Sequence, residues 1–270
     1  MAYEIVSYVT TIVAWAGVDQ RKVASVYIAS DSRISWGSHQ WNQGRKTFAA
    51  TGTPHIFGYW GDVLFPSIAL PTVLDELEAG VIRPRGSAFG EIGSSIRRLW
   101  NDYPKQEQRD LGIIMATRRR DAMMSVFELA VMTYEAKTDT WHIDDVEMPD
   151  RSSRLHIAGT GAYEVRNAEN LWQESSHKRT SRAVYSAFAE ALAQGKDRNS
   201  GGGPQLVGLR RIGPGIRFGI FHQGQRYIAG ARIPQASARS AEVEWFNELF
   251  ERVDGANGRL LTNAQRHAPR

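Results

Sequence analysis

Short runs of β-branched and aromatic residues, each closed by a turn signal, recur along most of this chain, and that rhythm limits the folds open to it. Tyr8–Ala16 reads YVTTIVAWA and Val23–Ala29 reads VASVYIA, joined by the polar stretch Gly17–Lys22. Such runs suit a pleated, half-buried surface, so the two predict a hairpin. Lys46–Ala50 and His55–Trp60 flank Thr51-Gly52-Thr53-Pro54 and predict a second pair. Two segments with helical spacing follow. Apolar residues at 68, 70, 73, 74 and 77 mark Ile68–Leu77, with Pro71 expected in its first turn, and those at 88, 89, 92, 96, 99 and 100 mark Ala88–Trp100. Strand-like runs return at Leu111–Thr117, Ser125–Glu135 and Leu155–Ala158, and helical spacing at Tyr163–Trp172 and Thr180–Leu192. Gln205–Arg211, Ile216–Phe221 and Arg226–Ile228 close the series as strands. Strand blocks alternating with helix pairs predict a layered α+β architecture. Beyond it, Glu242–Val253 has the spacing of an amphipathic helix and leads into a Gly/Asn/Arg-rich tail.

Several function classes lose support at this level. The longest apolar runs, Leu111–Ala116 and Val126–Met132, are too short to span a bilayer, and Met1–Val9 has neither the basic nor the apolar region of a secretory signal. With no cysteine, the chain has no disulfide, thiolate metal site or cysteine nucleophile. The net charge of +4 invites a nucleic-acid reading, but the basic residues are scattered. Arg118–Arg120 runs into Asp121 between two strand-like runs and reads as a solvated turn. No two of the seven histidines stand at metal-ligand spacing. Trp15, Trp36, Trp41 and Trp60 read as core or pocket wall rather than stacking platforms.

The chemistry lies in a series of short motifs. Thr10-Thr11-Ile12-Val13 is followed by IASDSRISWG at 28–37, a lysine at 46, GYWGD at 58–62, IAGTGAY at 157–163 and DRNSGG at 197–202. Each piece alone is common, but their order and intervals, including the step from Thr160 to Asp197, resemble proteasome β-subunits and the bacterial HslV peptidase over about residues 10 to 230. That resemblance implies an N-terminal-nucleophile (Ntn) hydrolase fold, a four-layer αββα sandwich of two antiparallel sheets between helix layers. It also implies a threonine protease whose leader, residues 1–9, is removed to expose Thr10, with the hydrolase domain at 10–236 and the helix and tail at 237–270.

A threonine hydroxyl is a poor nucleophile without a base, and a freed α-amine on the same residue can supply one. A lysine nearby would keep that amine neutral by like-charge repulsion. By the resemblance Lys46 is that lysine, held by Asp31. Thr160, Asp197 and Ser200 complete a shell around the amine, and Gly61 supplies the oxyanion N–H. Ser35 binds the substrate backbone, and Ile34, Gly44, Phe48, Tyr59 and Val63 line a pocket for an apolar side chain, with Asp62 beside it. The implied setting is a cytoplasmic homo-oligomeric ring acting on polypeptides, with an ATP-dependent unfoldase as a conceivable partner, and without cofactor, metal, nucleic acid or membrane. Two departures stand out: Val9 occupies the place of the usual glycine before the nucleophile, and Thr160 replaces a serine. A non-catalytic ring subunit and a small-substrate Ntn amidohydrolase are the alternative readings.

Overall fold

The computed structural model describes residues 10–20, 22–84, 88–238 and 242–264, so the expected leader at 1–9 and the end of the tail lie outside the described residues. β1 (Thr11–Val18) and β2 (Val23–Ser30) form the first predicted hairpin, with Ile12 opposite Ser30. A small hairpin, β3 (Ile34–Trp36) and β4 (His39–Trp41), precedes β5 (Thr47–Ala49) and β6 (His55–Gly61). Helices α1 (Leu64–Glu78) and α2 (Ala88–Asn101) come next, then β7 (Leu111–Arg119), β8 (Val126–Glu135), β9 (Thr140–Val146) and β10 (Ser153–Gly159). After α3 (Ala162–Gln173) and α4 (Ser181–Gln194) the chain returns to strands β11 (Gln205–Arg210), β12 (Ile216–His222), β13 (Gln225–Ile228) and β14 (Ala231–Arg232). A one-turn helix α5 (Gln235–Ala238) leads to β15 (Trp245–Phe246) and β16 (Arg252–Val253).

These strands build three sheets, which corrects the expected architecture. The largest has nine strands, running β10-β1-β2-β11-β12-β13-β14 with β15 and β16 attached at β12. The second runs β5-β6-β7-β8-β9, and the third is the β3–β4 hairpin. Strand residues outnumber helical ones, 36% against 26%, so the fold is mostly β and is not the four-layer αββα sandwich of two antiparallel sheets. Nor is the large sheet purely antiparallel, because β15 pairs with β12 in parallel.

Buried side chains gather in separate clusters that explain where the site can form. Ile12, Ala14, Ile28 and Val207 of the nine-stranded sheet meet Ile56, Ile114 and Leu129 of the five-stranded one. Val13 and Trp15, the alternate residues of β1, pack instead with Val184, Tyr185 and Phe188 of α4. β1 is therefore buried on both faces, as the continuous apolar run TIVAWA anticipates. A further cluster joins Phe57, Tyr59 and Ile113 to Leu70, Val73, Ile92 and Trp100 of α1 and α2.

Other expectations change as well. Pro71 sits in the interior of α1 rather than its first turn, because the helix starts at Leu64 and places Pro66 there instead. An interior proline costs about 3 kcal/mol. Burial of Phe65, Leu70, Val73, Leu74 and Leu77 on the same helix returns roughly 1.5–3 kcal/mol for each side chain, so the helix survives. Glu242–Val253 is not an amphipathic helix: Asn247 accepts the N–H groups of Leu249 (3.0 Å) and Glu251 (2.9 Å) and folds the chain back between β15 and β16. Arg118 is not in a solvated turn. It is buried at the end of β7 and donates to the carbonyls of Arg210 (2.5 Å) and Gly213 (2.8 Å), with Asp121 as its ion partner. Trp15 is core as expected, but Trp36 and Trp41 are half exposed on the small hairpin. Among the described residues no helix is long and apolar enough to cross a membrane.

His55 on β6 is buried, and desolvation pulls its imidazole down from 6.5 to about 4. The folded state therefore holds it neutral where the unfolded chain binds a proton, so stability is present above pH 6.5 and lost as pH falls toward 4. The loss should be on the order of 1–3 kcal/mol. Urea unfolding at pH 7 and pH 4.5 should show a smaller acid loss for His55→Gln than for the wild type; equal losses would refute the assignment.

Candidate active site

Each end of the site is placed by the point where a strand leaves its sheet. β2 ends at Ser30, and Asp31 follows with its carboxylate fully buried. Lys46 precedes β5, is also 0% exposed, and its Nζ donates to Asp31 Oδ1 at 2.9 Å. Asp31 Oδ1 also accepts the N–H of Thr11 (2.9 Å), and Oδ2 accepts those of Gly201 (3.0 Å) and Arg33 (3.1 Å). Each oxygen of this buried carboxylate thus meets two donors. Burial pulls the Lys46 ammonium below the usual lysine range, while Asp31 opposes the shift, Arg33 adds to it and Asp197 resists it.

A second cluster hangs on Asp197, in the loop between α4 and β11. Its Oδ2 accepts Thr160 Oγ1 at 2.6 Å and Ser200 Oγ at 2.7 Å, and its Oδ1 accepts the N–H of Asn199 at 3.0 Å. Ser200 Oγ lies 2.6 Å from Thr11 Oγ1. Since the single hydroxyl hydrogen of Ser200 goes to Asp197, Thr11 is the donor to Ser200. The two clusters thus form one continuous network, from Lys46 through Asp31, the backbone and side chain of Thr11, Ser200 and Asp197 to Thr160.

Thr10 stands immediately before this junction. It is fully buried, and its carbonyl lies against Gly159, where φ is +90° and a Cβ would run into it. Thr11, like Val13 and Trp15, faces the side of Asp197 and α4. Alternation along the strand turns Ile12 to the opposite face. There the Ile12 side chain occupies the space over Gly58, beside the carbonyl of Lys46. Thr11 accordingly serves the Asp197 cluster, while Ile12 faces the five-stranded sheet.

The structure brings together Asp31, Lys46, Thr160, Asp197 and Ser200, and leaves other sequence-predicted residues outside the network. Gly61 ends β6 with φ +83°, and a Cβ there would stand 2.6 Å from the Asp110 carbonyl, so only glycine fits. Ser35 is buried, and among the described residues its Oγ has no hydrogen-bond partner. Ile34 fills the space beside Gly44. Tyr59 is fully buried, donates its hydroxyl to the Arg45 carbonyl at 2.9 Å, and packs with Phe48 in the core under α1, against which Val63 rests. Ile34, Phe48 and Tyr59 form packed interior rather than an open pocket wall. Asp62 faces the first turn of α1, where it accepts the N–H of Phe65 at 3.0 Å, and burial raises its pKa. The crevice beside Thr11, Asp197 and Ser200 measures only about 10 Å³, whereas cavities of about 560 and 480 Å³ lie at the C-terminal strands and beside Met148.

One residue of the site escaped the sequence reading. Gln205 opens β11 fully buried, and its amide bonds both Asp31 and Lys46 through their backbones. The signal was a polar residue at the head of an otherwise apolar strand, QLVGL, one that must find partners inside. Compared with known proteins, the chain matches no family model, and no curated protein matches it.

The buried pair makes a direct thermodynamic claim. Lys46→Met should destabilise the fold by about 3–5 kcal/mol, because it strands the Asp31 charge, and adding Asp31→Asn should recover part of that loss. Denaturant unfolding of both single variants and the double variant measures the coupling; strictly additive losses would contradict it.

Proposed function

We propose that the chain is a threonine peptidase of proteasome type, an Ntn hydrolase acting in the cytoplasm on polypeptide substrates as a homo-oligomeric ring. The observation that supports this reading is the unbroken hydrogen-bonded network that converges on the start of β1, with a buried Lys–Asp pair at one end and Thr160–Asp197–Ser200 at the other. Function belongs to sites more than to architectures, so the strand-rich fold leaves the reading in place.

Cleavage before Thr10 would turn its nitrogen into an α-amine with an ordinary pKa of about 7.7–8.0. Lys46 disfavours protonation of that amine by charge repulsion. Thr10 Oγ then attacks the scissile carbonyl carbon while its proton passes to the amine. The backbone N–H of Gly61 stabilises the oxyanion. Collapse breaks the C–N bond, the leaving nitrogen takes the proton, and water releases the acyl group from the threonine ester by the same route. Ser35, on the hairpin next to the site, binds the substrate backbone as an added strand. An ATP-dependent unfoldase would feed such a ring, and the reading involves neither nucleic acid nor membrane.

A second reading, a ring subunit that never exposes its threonine, draws on Val9 before Thr10 and on the complete burial of Thr10. Intact mass and a fluorogenic peptide assay separate the two. Wild-type protein should lose residues 1–9 and hydrolyse peptide, and Thr10→Ala should retain them and lose at least about a thousandfold in rate. Thr11→Ala removes only the bond to Ser200, so it should still lose residues 1–9 and keep far more activity than Thr10→Ala. An active Thr10→Ala protein would sink the proposal. Sedimentation should show a closed assembly, and a monomer of 30.2 kDa would argue against the ring.

A further inference from the structure

Gln205 sits where the two larger sheets come apart. In β11 it pairs with Ser30, the last residue of β2, so its side chain reaches past the end of that strand to the loop that carries Asp31. Its Nε2 donates to the Asp31 carbonyl at 2.8 Å and to the Gly44 carbonyl at 2.7 Å. Its Oε1 accepts the N–H of Lys46 at 2.9 Å and that of Thr47 at 3.2 Å, with the Thr47 hydroxyl at 3.3 Å. Both amide hydrogens are used, and they cannot be supplied by a carboxylate. The groups it binds lie at the end of β2 and the start of β5, where each strand ladder runs out. One amide thus substitutes for ladder bonds across the gap between the nine-stranded and five-stranded sheets.

We propose that Gln205 is the positioning residue of the Lys46–Asp31 pair, clamping the two backbone segments so that the ammonium stays on Asp31 and at working distance from the threonine. The argument is one of leverage. The carbonyl of Asp31 and the N–H of Lys46 are held by the two ends of the same planar group, and their side chains meet at 2.9 Å. Displacing either segment by about 1 Å would cost up to a hundredfold in a reaction that depends on alignment. The charged groups acting on Lys46, namely Asp31, Arg33 and Asp197, are untouched by a change at 205. The proposal rests on the threonine-hydrolase reading for its catalytic consequence, but not for its structural one.

The test uses the full-length protein with Gln205→Glu and the nearly isosteric, apolar Gln205→Met. Two readouts are taken below the melting temperature of each variant: the pH profile of peptide hydrolysis, split into kcat and KM, and the Lys46 titration by NMR of 13Cε-labelled lysine. Gln205→Glu at pH 8 should lose at least about tenfold in kcat with KM within about twofold, and its ratio to wild type should rise toward pH 6 as the new carboxyl regains a donor hydrogen. The Lys46 titration should move upward in the same variant, since a negative charge arrives beside it. Gln205→Met should lose kcat without that pH-dependent recovery. Folded variants whose kcat and Lys46 titration both match wild type would overturn the proposal. So would a loss of activity that only tracks the unfolded fraction. Should neither variant fold, Thr47→Val removes a single contact to Oε1 and should give a smaller kcat loss in the same direction; no change there would overturn the proposal too. A wild-type protein without Thr10-dependent hydrolysis would refute the hydrolase reading alone, leaving the Lys46 titration to decide the role of Gln205.

Discussion

The centre of this molecule is arranged around one ion pair that bulk solvent does not reach. Lys46 and Asp31 are both fully buried, and two such charges cost several kcal/mol each to dehydrate. Their mutual attraction offsets that only if the remaining lone pairs of the carboxylate are met. Asp31 meets this condition with the N–H groups of Thr11, Gly201 and Arg33, which come from three different stretches of chain. The start of β1, the end of β2 and the glycine run after Ser200 are therefore held in one place by a single carboxylate.

That requirement also explains why the site sits at the sheet ends. Within a sheet the backbone groups are consumed by ladder bonds, and none would be left to solvate a charge. Around Asp31 and Lys46 the ladders run out, and the carbonyls of Asp31 and Gly44 and the N–H of Lys46 turn toward Gln205. The Asp197 cluster answers a second need on the other face of β1, where hydroxyls in series accept and pass on hydrogen bonds toward a partly exposed carboxylate. One strand, buried on both sides, thus joins two polar clusters through a single residue, the backbone of Thr11 meeting Asp31 and its hydroxyl meeting Ser200.

Much of this was legible in the sequence. The runs YVTTIVAWA and VASVYIA became β1 and β2, both helix pairs formed, and five of the residues singled out by motif fall into one hydrogen-bonded network. What stayed hidden depends on long-range partners. β9, with its sequence TWHIDDV, is too polar to read as a strand and exists because β8 pairs with it. The segment after Glu242 shows helical spacing, yet Asn247 and the open edge at β12 pull it into strands, and the same additions spoil the simple layered plan expected of the chain. Arg118 looked like surface charge until the carbonyls of a distant turn closed on it. Tyr59 and Phe48 are apolar in the way a pocket wall is, and no local pattern distinguishes such a wall from the interior they occupy.

The hydrogen bond between Thr11 and Ser200 spans 189 residues of chain, and that between Lys46 and Gln205 spans 159. A ribosome adds about 5–20 residues per second, so Thr11 leaves the ribosome roughly ten to forty seconds before Ser200 does. Contacts of such long range also form late in folding, after the entropy of closing the intervening loop has been met. During synthesis, then, the growing chain carries its threonines before Ser200, Gly201 and Gln205 can join them. The order of the strands along the sequence therefore acts as a built-in delay between making the threonines and completing the network around them.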